Sequence, residues 1–251
     1  MRQSLQGKTA LVTGGAQRLG KATVRALAKE GMRVVVHFHH SDMAAQELVQ
    51  ELTATGAEAW ALAANLAQPE EGAALIAQAL ELTGALDLLV NNASTFPADR
   101  LADVTWDALT ASMAVNAWAP FELGREFARL IGRGGIINLL DARLSGYDWT
   151  HVSYMLAKQL LALITRLQAV EYAPHITVNA VAPGLILPPE GQDESYLTRL
   201  AATVPLRRHG EAVDIADAVV YLAQSTFLTG NVLYVDGGRH LLEYSGGQSN
   251  H

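Results

Sequence analysis

The sequence predicts one α/β domain, a doubly wound parallel sheet of about seven strands with helices on both faces. Three observations carry this. Short apolar runs alternate with longer segments of helical spacing along almost the whole chain, the pattern of a parallel sheet buried on both sides. The first of these runs leads straight into the turn Thr13-Gly14-Gly15-Ala16-Gln17-Arg18-Leu19-Gly20, which opens a helix. The chain has 251 residues, of which 50% are hydrophobic and 17% charged. That is too apolar for disorder, and a chain of this size buries roughly 70–75% of its extended surface in a single core.

The elements follow in order. Thr9 to Thr13 is a short β-branched run ending in glycines. Gln17 to Glu30 places Leu19, Ala22, Val24, Ala26 and Leu27 at broadly helical spacing, and Gly31 stops it. Val34 to Phe38 reads as the second strand. Asp42 to Thr55 is a helix with Ser41 as its N-cap and Gly56 as its stop. Ala57 to Ala63 is the third strand, and Pro69 to Thr83 a helix with Pro69 in its first turn. Leu86 to Val90 is the fourth strand, followed by a long helical segment from about Thr105 to Ile131. Gly135 to Leu140, the long helix Val152 to Tyr172, the strand Ile176 to Ala180, the helix Ile215 to Ala223 and the short strand Val232 to Val235 complete the series.

No linker divides residues 1–251, so the chain reads as one dinucleotide-binding (Rossmann) catalytic domain. Residues 188–204 read as a substrate loop and helix, opening with the breaker-rich stretch Pro188 to Glu194. Residues 243–251 read as a flexible tail.

Composition excludes several classes. Eighteen Lys and Arg against 25 Asp and Glu leave a net charge of −7, unlike a general nucleic-acid binder. With no cysteine, disulfides, thiolate nucleophiles and Cys-based zinc sites are excluded, and no metal site is expected. Met1 to Lys8 lacks the apolar core of a secretory signal, and no apolar stretch is long enough to span a membrane. The expectation is a cytoplasmic protein with a small-molecule substrate and neither nucleic acid nor membrane as partner.

The first turn has the chemistry of a phosphate site. A helix N-terminus offers unpaired N–H groups and partial positive charge, and glycines let a pyrophosphate approach them. Gly14, Gln17, Arg18, Leu19 and Gly20 are the residues expected to hold it. The second strand ends in His37-Phe38-His39-His40-Ser41, where an NAD site usually places an acid for the ribose hydroxyls. Imidazoles and a hydroxyl can instead donate to a 2′-phosphate, so His37, His39, His40 and Ser41 point to NADPH. Tyr154 and Lys158 lie four apart in a helical segment and share a face. A lysine ammonium there is expected to lower the phenol's pKa and make Tyr154 a proton donor near neutrality.

Together these features resemble the short-chain dehydrogenase/reductase family over almost the whole chain. Asn91-Asn92-Ala93 looks like its Asn-Asn-Ala-Gly segment along the cofactor, Asn116 like the asparagine of its catalytic tetrad, and Pro183-Gly184 like its Pro-Gly beside the nicotinamide. Asp236-Gly237-Gly238 looks like its C-terminal strand ending. Asn65-Leu66 falls where the family has Asp-Leu or Asp-Val against the adenine. The resemblance implies that Asn65, Leu66, Asn92, Ala93, Ser94, Lys158, Pro183 and Gly184 also line the cofactor. It implies that Asn116 supports a water chain to Lys158.

Two departures are informative. Arg18 replaces the middle glycine of the family's first turn, and Asp141 stands where its catalytic serine belongs. Both resemble the pteridine reductase branch, as do His37-Phe38-His39 and the Asn91-to-Ser94 segment with Phe96 behind it. The C-terminal stretch is also similar to that of the bacterial dihydromonapterin, or alternative dihydrofolate, reductases. The resemblance implies NADPH-dependent reduction of a pterin or folate. Arg18, Ser94, Phe96, Asp141, Tyr154 and Leu185 would meet the substrate, with Phe96 stacked on one pterin face and the nicotinamide on the other. Arg143 and Tyr147, between Asp141 and the Tyr–Lys helix, can also reach it. Tyr154, with Asp141, would relay a proton to the ring nitrogen, where a serine better serves a carbonyl oxygen. Asp141, Tyr154, Lys158 and Asn116 are thus the expected catalytic set. The long helices are similar to those that join the family's homotetramers. Two other readings stand beside this one: a carbonyl reductase for 3-oxoacyl thioesters or sugars, and a non-catalytic NADPH sensor.

Overall fold

The computed structural model describes residues 2–146, 148–189 and 191–242; the expected tail at 243–251 and Tyr147 lie outside them. Seven strands form one sheet in the order β3-β2-β1-β4-β5-β6-β7, every neighbouring pair parallel. They are β1 (Thr9–Val12), β2 (Arg33–Phe38), β3 (Ala59–Ala63), β4 (Leu88–Asn91), β5 (Gly134–Leu139), β6 (Ile176–Pro183) and β7 (Val232–Val235). Chain order reverses between β1 and β4, and ligands of such sheets bind beyond the strand C-termini at that point.

The strands read as unbroken apolar runs because both faces are buried. Ala10, Val12, Val34 and Val36 point into one layer. There they meet α1 (Arg18–Lys29), α2 (Asp42–Ala54) and α8 (Ala212–Gln224). Leu11, Val35 and Ile136 point into the other, against α3 (Pro69–Thr83) and α5 (Ala119–Leu130). The helix α6 (Val152–Glu171) packs beside them through Ala157, Leu161 and Ile164.

Several boundaries differ from the sequence expectation. The long segment after β4 is α4 (Trp106–Met113), a π-turn over Ala114–Trp118, then α5. A π-turn inserts an extra residue and often marks a functional site; here it carries Asn116. Strand β6 runs three residues past Ala180, because Val181, Ala182 and Pro183 pair with Leu233, Tyr234 and Val235. Helix α8 starts early on a capping box between Glu211 and Asp214. Ser41 takes the N-cap position of α2, but its side chain makes no cap bond. The expected substrate segment contains α7 (Glu194–Ala201).

Candidate active site

The first turn is shaped from inside. Gly14 adopts φ +59°, in the left-handed region that favours glycine. Gly20 packs so closely that a Cβ there would stand 2.1 Å from the Gly14 carbonyl oxygen. Asn92 donates both side-chain hydrogens to this turn, to the carbonyls of Thr13 at 2.9 Å and Gly14 at 3.0 Å. Thr13 Oγ1 accepts the backbone N–H groups of Asn92 and Ala93. Asn92 therefore welds β1 to β4, with both of its amide hydrogens spent on the turn.

His37 is corrected as a phosphate donor. Its ring is 1% exposed, its Nδ1 accepts the Gly14 N–H at 3.0 Å, and its Nε2 meets the Ala64 carbonyl at 3.1 Å. Burial lowers its pKa to about 4, against the hydrogen bond to Ala64, so the ring stays neutral. Both nitrogens being used internally, it holds the turn and cannot donate to a phosphate. His39 and His40 are exposed beyond the strand end, their rings 3.5 Å apart, with Ser41 beside them.

These features fit a dinucleotide phosphate. The N-terminus of α1 has no side-chain cap and no acid in its first turn. Gln17 and Arg18 are exposed there, and Leu19 is half-buried. Arg18 takes φ +51° and donates from Nη2 to the Pro188 carbonyl at 2.6 Å, so it latches the first turn to the segment that leads into α7. Asn65 Oδ1 accepts from the Ala67 N–H and Leu66 is buried, closing a turn at the end of β3.

A buried polar chain aims the Tyr–Lys helix. Asn91 donates to Asn138 Oδ1 at 2.8 Å, and Asn138 donates to Thr165 Oγ1 at 2.9 Å, linking β4, β5 and α6. Asp99 accepts the Ser153 N–H at 3.0 Å, tying the loop after β4 to the first turn of α6. Sequence reasoning missed Asn138, Thr165 and Asp99, because only the sheet order brings them together.

On this frame Tyr154 donates from its hydroxyl to Asp141 Oδ2 at 3.0 Å. Lys158 donates to the Leu139 carbonyl at 2.7 Å, with Nζ 5.7 Å from the Tyr154 ring centroid. Burial lowers the Lys158 pKa to about 8, against the pull of Asp141. The expected depression of the tyrosine is overturned. Burial and the facing Asp141 push the Tyr154 phenol well above its usual value, with Arg143 opposing. Removing a phenolate from water costs more than Arg143 returns, so Tyr154 is a neutral phenol that holds its proton.

Asn116 Oδ1 accepts from Ser94 Oγ at 2.6 Å and from the Thr95 N–H at 3.0 Å; its Nδ2 donates to Thr95 and to Ser112 Oγ. Its side chain thus holds the Ser94–Phe96 loop. Phe96 is 39% exposed, meets Tyr154 edge-on at 4.8 Å and stacks on His151 at 3.8 Å. Leu185 is buried with Leu197 and Val204, anchoring the segment that carries α7. Gly184 lies where a Cβ would meet Asp236 Cα at 2.5 Å, so Pro183-Gly184 packs tightly against the end of β7.

Arg143 gathers this corner. It forks onto Asp141, Nε to Oδ1 at 3.0 Å and Nη2 to Oδ2 at 2.7 Å, while Nη1 bonds Asp148 Oδ2. Asp148 also accepts from Thr150, and its Oδ2 lies 2.9 Å from His151 Nδ1. Neither Asp148 nor His151, which meets Arg143 only through Asp148, carried a sequence motif.

Among the described residues no helix is long and apolar enough to cross a membrane, and no acid–histidine group is arranged to hold a metal.

Comparison with known proteins agrees with this geometry. A family model described as enoyl-(acyl carrier protein) reductase matches residues 14–240. Versicolorin reductase 1 of Aspergillus parasiticus is 34% identical, over 93% of this chain and 97% of that protein. The 3-oxoacyl-[acyl-carrier-protein] reductase FabG of Staphylococcus aureus is 30% identical, over 93% of this chain and 98% of its own length. Among solved structures, FolM alternative dihydrofolate reductase 1 from Brucella suis, in complex with NADP, superposes with a TM-score of 0.90. It is 31% identical, with 99% of each chain covered.

Proposed function

The chain belongs to the short-chain dehydrogenase/reductase family of oxidoreductases, and from that premise we propose that it is an NADPH-dependent pteridine reductase acting on a dihydropterin or dihydrofolate. One observation carries the reading: Tyr154 donates its hydroxyl proton to a carboxylate, Asp141, at the place where the family's carbonyl reducers keep a serine. The NADP-bound FolM structure supports both the cofactor and the substrate class. Gly14, Gly20 and the uncapped start of α1 fit the pyrophosphate, and His39, His40 and Ser41 offer donors to a 2′-phosphate with no acid at the strand end.

NADPH, when bound, supplies a hydride to the carbon of the substrate's C=N bond. The adjoining nitrogen then needs a proton, and Tyr154 is loaded with one because its phenol is held neutral. A ring nitrogen that has gained an electron pair is far more basic than phenolate, so the transfer runs downhill even from a weakly acidic tyrosine. Asp141 holds the hydroxyl in place by accepting its hydrogen bond, and that hydrogen turns from Asp141 to the substrate nitrogen as the proton is transferred. Lys158, with its pKa near 8 and its Nζ 5.7 Å from the Tyr154 ring centroid, is the amine placed to return a proton to the phenolate. Asn116 holds Ser94 and Phe96 in place as the wall beside Tyr154.

Exposed Leu156, Leu163, Leu167 and Val170 recur along one face of α6 and support a homotetramer. The printed names of versicolorin reductase 1 and FabG favour a second reading, reduction of a carbonyl. NADPH consumption by the purified protein separates the two. Dihydrobiopterin, dihydromonapterin, dihydrofolate and an acetoacetyl thioester are offered in parallel. Turnover of the pteridines alone is expected. Turnover of the thioester alone would replace this reading by a carbonyl reductase, and binding of NADPH with no turnover would leave a sensor.

A further inference from the structure

The sheet has a second hollow end. Its strands are all parallel, so their first residues share one edge, opposite the edge that leads into Gly14 and Asp141. At that edge lies a cavity of about 400 Å³, within the roughly 300–1,000 Å³ of small-molecule sites. Lys8 leads into β1 there, Met32 into β2, Asp87 into β4 and His175 into β6. Hydrogen bonds fix the walls. The Gln3 N–H donates to the Gln224 carbonyl at 2.9 Å and its side-chain amide to the Ala223 carbonyl at 2.8 Å, fastening the N-terminal segment to the end of α8. The Gly134 N–H donates to the His175 carbonyl at 3.1 Å, tying the start of β5 to the turn before β6.

The lining divides by chemistry. Leu5, Met32, Ile137 and Leu222 are buried members of one core layer and supply an apolar floor. Lys8, Arg133 and His175 stand around it with one acid, Asp87, which turns its Oδ2 to the Thr9 N–H at 2.9 Å. Lys8 Nζ donates to Gln3 Oε1 at 2.5 Å, a neutral partner that leaves its charge unbalanced. Among the described residues no carboxylate forms an ion pair with Lys8, Arg133 or His175. In a chain of net charge −7, two such cations side by side at a cavity stand out.

We propose that this cavity is a second binding site, for an organic anion with an apolar body, at the end of the sheet away from the cofactor. A small inorganic anion leaves the floor uncovered. A neutral apolar molecule covers the floor and leaves Lys8 and Arg133 unpaired. An anion with an apolar body satisfies both, its body on the leucine side and its head on the guanidinium and ammonium. Because the strand starts and strand ends are separate edges, this ligand binds together with NADPH. The inference does not use the pteridine reading.

Isothermal titration calorimetry tests it on protein saturated with NADP+, with octanoate, 1-octanol and acetate offered separately. Octanoate is expected to bind tightest, with a Kd of about 1 mM or below, and added salt should weaken octanoate more than octanol. Lys8→Gln and Arg133→Gln should each weaken octanoate by about threefold. The double variant should bind octanoate no better than octanol. Thr177→Tyr puts a large strand-forming side chain into the cavity from β6 and should abolish binding of both. Thermal unfolding checks that each variant folds, and the two glutamine variants carry the test if Thr177→Tyr does not. NADPH affinity should be the same in every folded variant. Octanoate binding that these variants leave unchanged would overturn the inference, as would octanoate that expels NADP+, binds no better than acetate, or fails to bind up to about 10 mM. Each of those results leaves the pteridine reading as it was.

Discussion

Replacing Lys158 by methionine is expected to stabilise the cofactor-free protein at neutral pH while abolishing its activity. Lys158 is 2% exposed, and its pKa falls from 10.5 to about 8 because burial disfavours the ammonium more than Asp141 favours it. That drop corresponds, at about 1.4 kcal/mol per pH unit, to roughly 3 kcal/mol lost from folding stability when the amine is charged. Methionine fills a similar unbranched volume without the charge. It also loses the bond to the Leu139 carbonyl, a net contribution of about 1 kcal/mol. The difference leaves a gain of roughly 2 kcal/mol, or about 5 °C in Tm for a chain of this size. The sign with pH follows from the two values. Below about 8 the amine is charged in both the folded and the unfolded chain, and the penalty is complete. Between about 8 and 10.5 only the unfolded chain stays protonated, so the penalty fades as pH rises. The advantage of Lys158→Met should therefore shrink from pH 7 to pH 10 and vanish near the top of that window. Thermal unfolding of both proteins across this range measures it. A variant less stable than wild type by a constant amount at every pH would refute the reasoning.

Tyr154→Phe removes the proton and keeps the ring against Phe96, so kcat with dihydropterin should fall by about 10²–10⁴. Its Kd for NADPH should stay near the wild-type value, and an unchanged kcat would remove Tyr154 from the proton path. His39→Asp places an acid beyond β2 where a 2′-phosphate is expected, so the ratio of kcat/KM for NADPH to that for NADH should drop by about tenfold or more. A ratio that does not move would show that the strand end does not read the phosphate.

Much of the architecture was legible because it is periodic. Val34-Val35-Val36 must be buried on both faces, and a run like that belongs inside a parallel sheet. Tyr154 and Lys158 share a helical face by spacing alone. Where the reading failed, the missing fact was what lies across the sheet. His37 carries the right chemistry for a phosphate, and nothing in its neighbours along the chain says that it points inward. Only the pairing of β1 with β2 and β2 with β3 puts the Gly14 N–H on one nitrogen and the Ala64 carbonyl on the other. The amide bonds of Asn92 and Asn116 were hidden for the same reason, since only the fold brings the turns they hold within reach.

The tyrosine shows how far spacing can mislead about energy. Helical geometry does bring Lys158 to Tyr154, and charge attraction alone would then make the phenol acidic. That argument leaves out burial, and it leaves out Asp141, thirteen residues away in sequence and 3.0 Å away in space. Both favour the neutral phenol and together outweigh the opposing pull of Arg143. The acid that replaces a serine thus changes what the tyrosine is: an acidified phenol in the spacing argument, a proton store in the structure. A store suits a nitrogen that becomes strongly basic only as the hydride arrives, because the proton leaves when the acceptor exists and not before. Substituting Asp141 by serine would leave burial, the largest cause, and remove the carboxylate that adds to it. Under the proposed pteridine reading, residue 141 and the basicity of the substrate atom would be matched to each other.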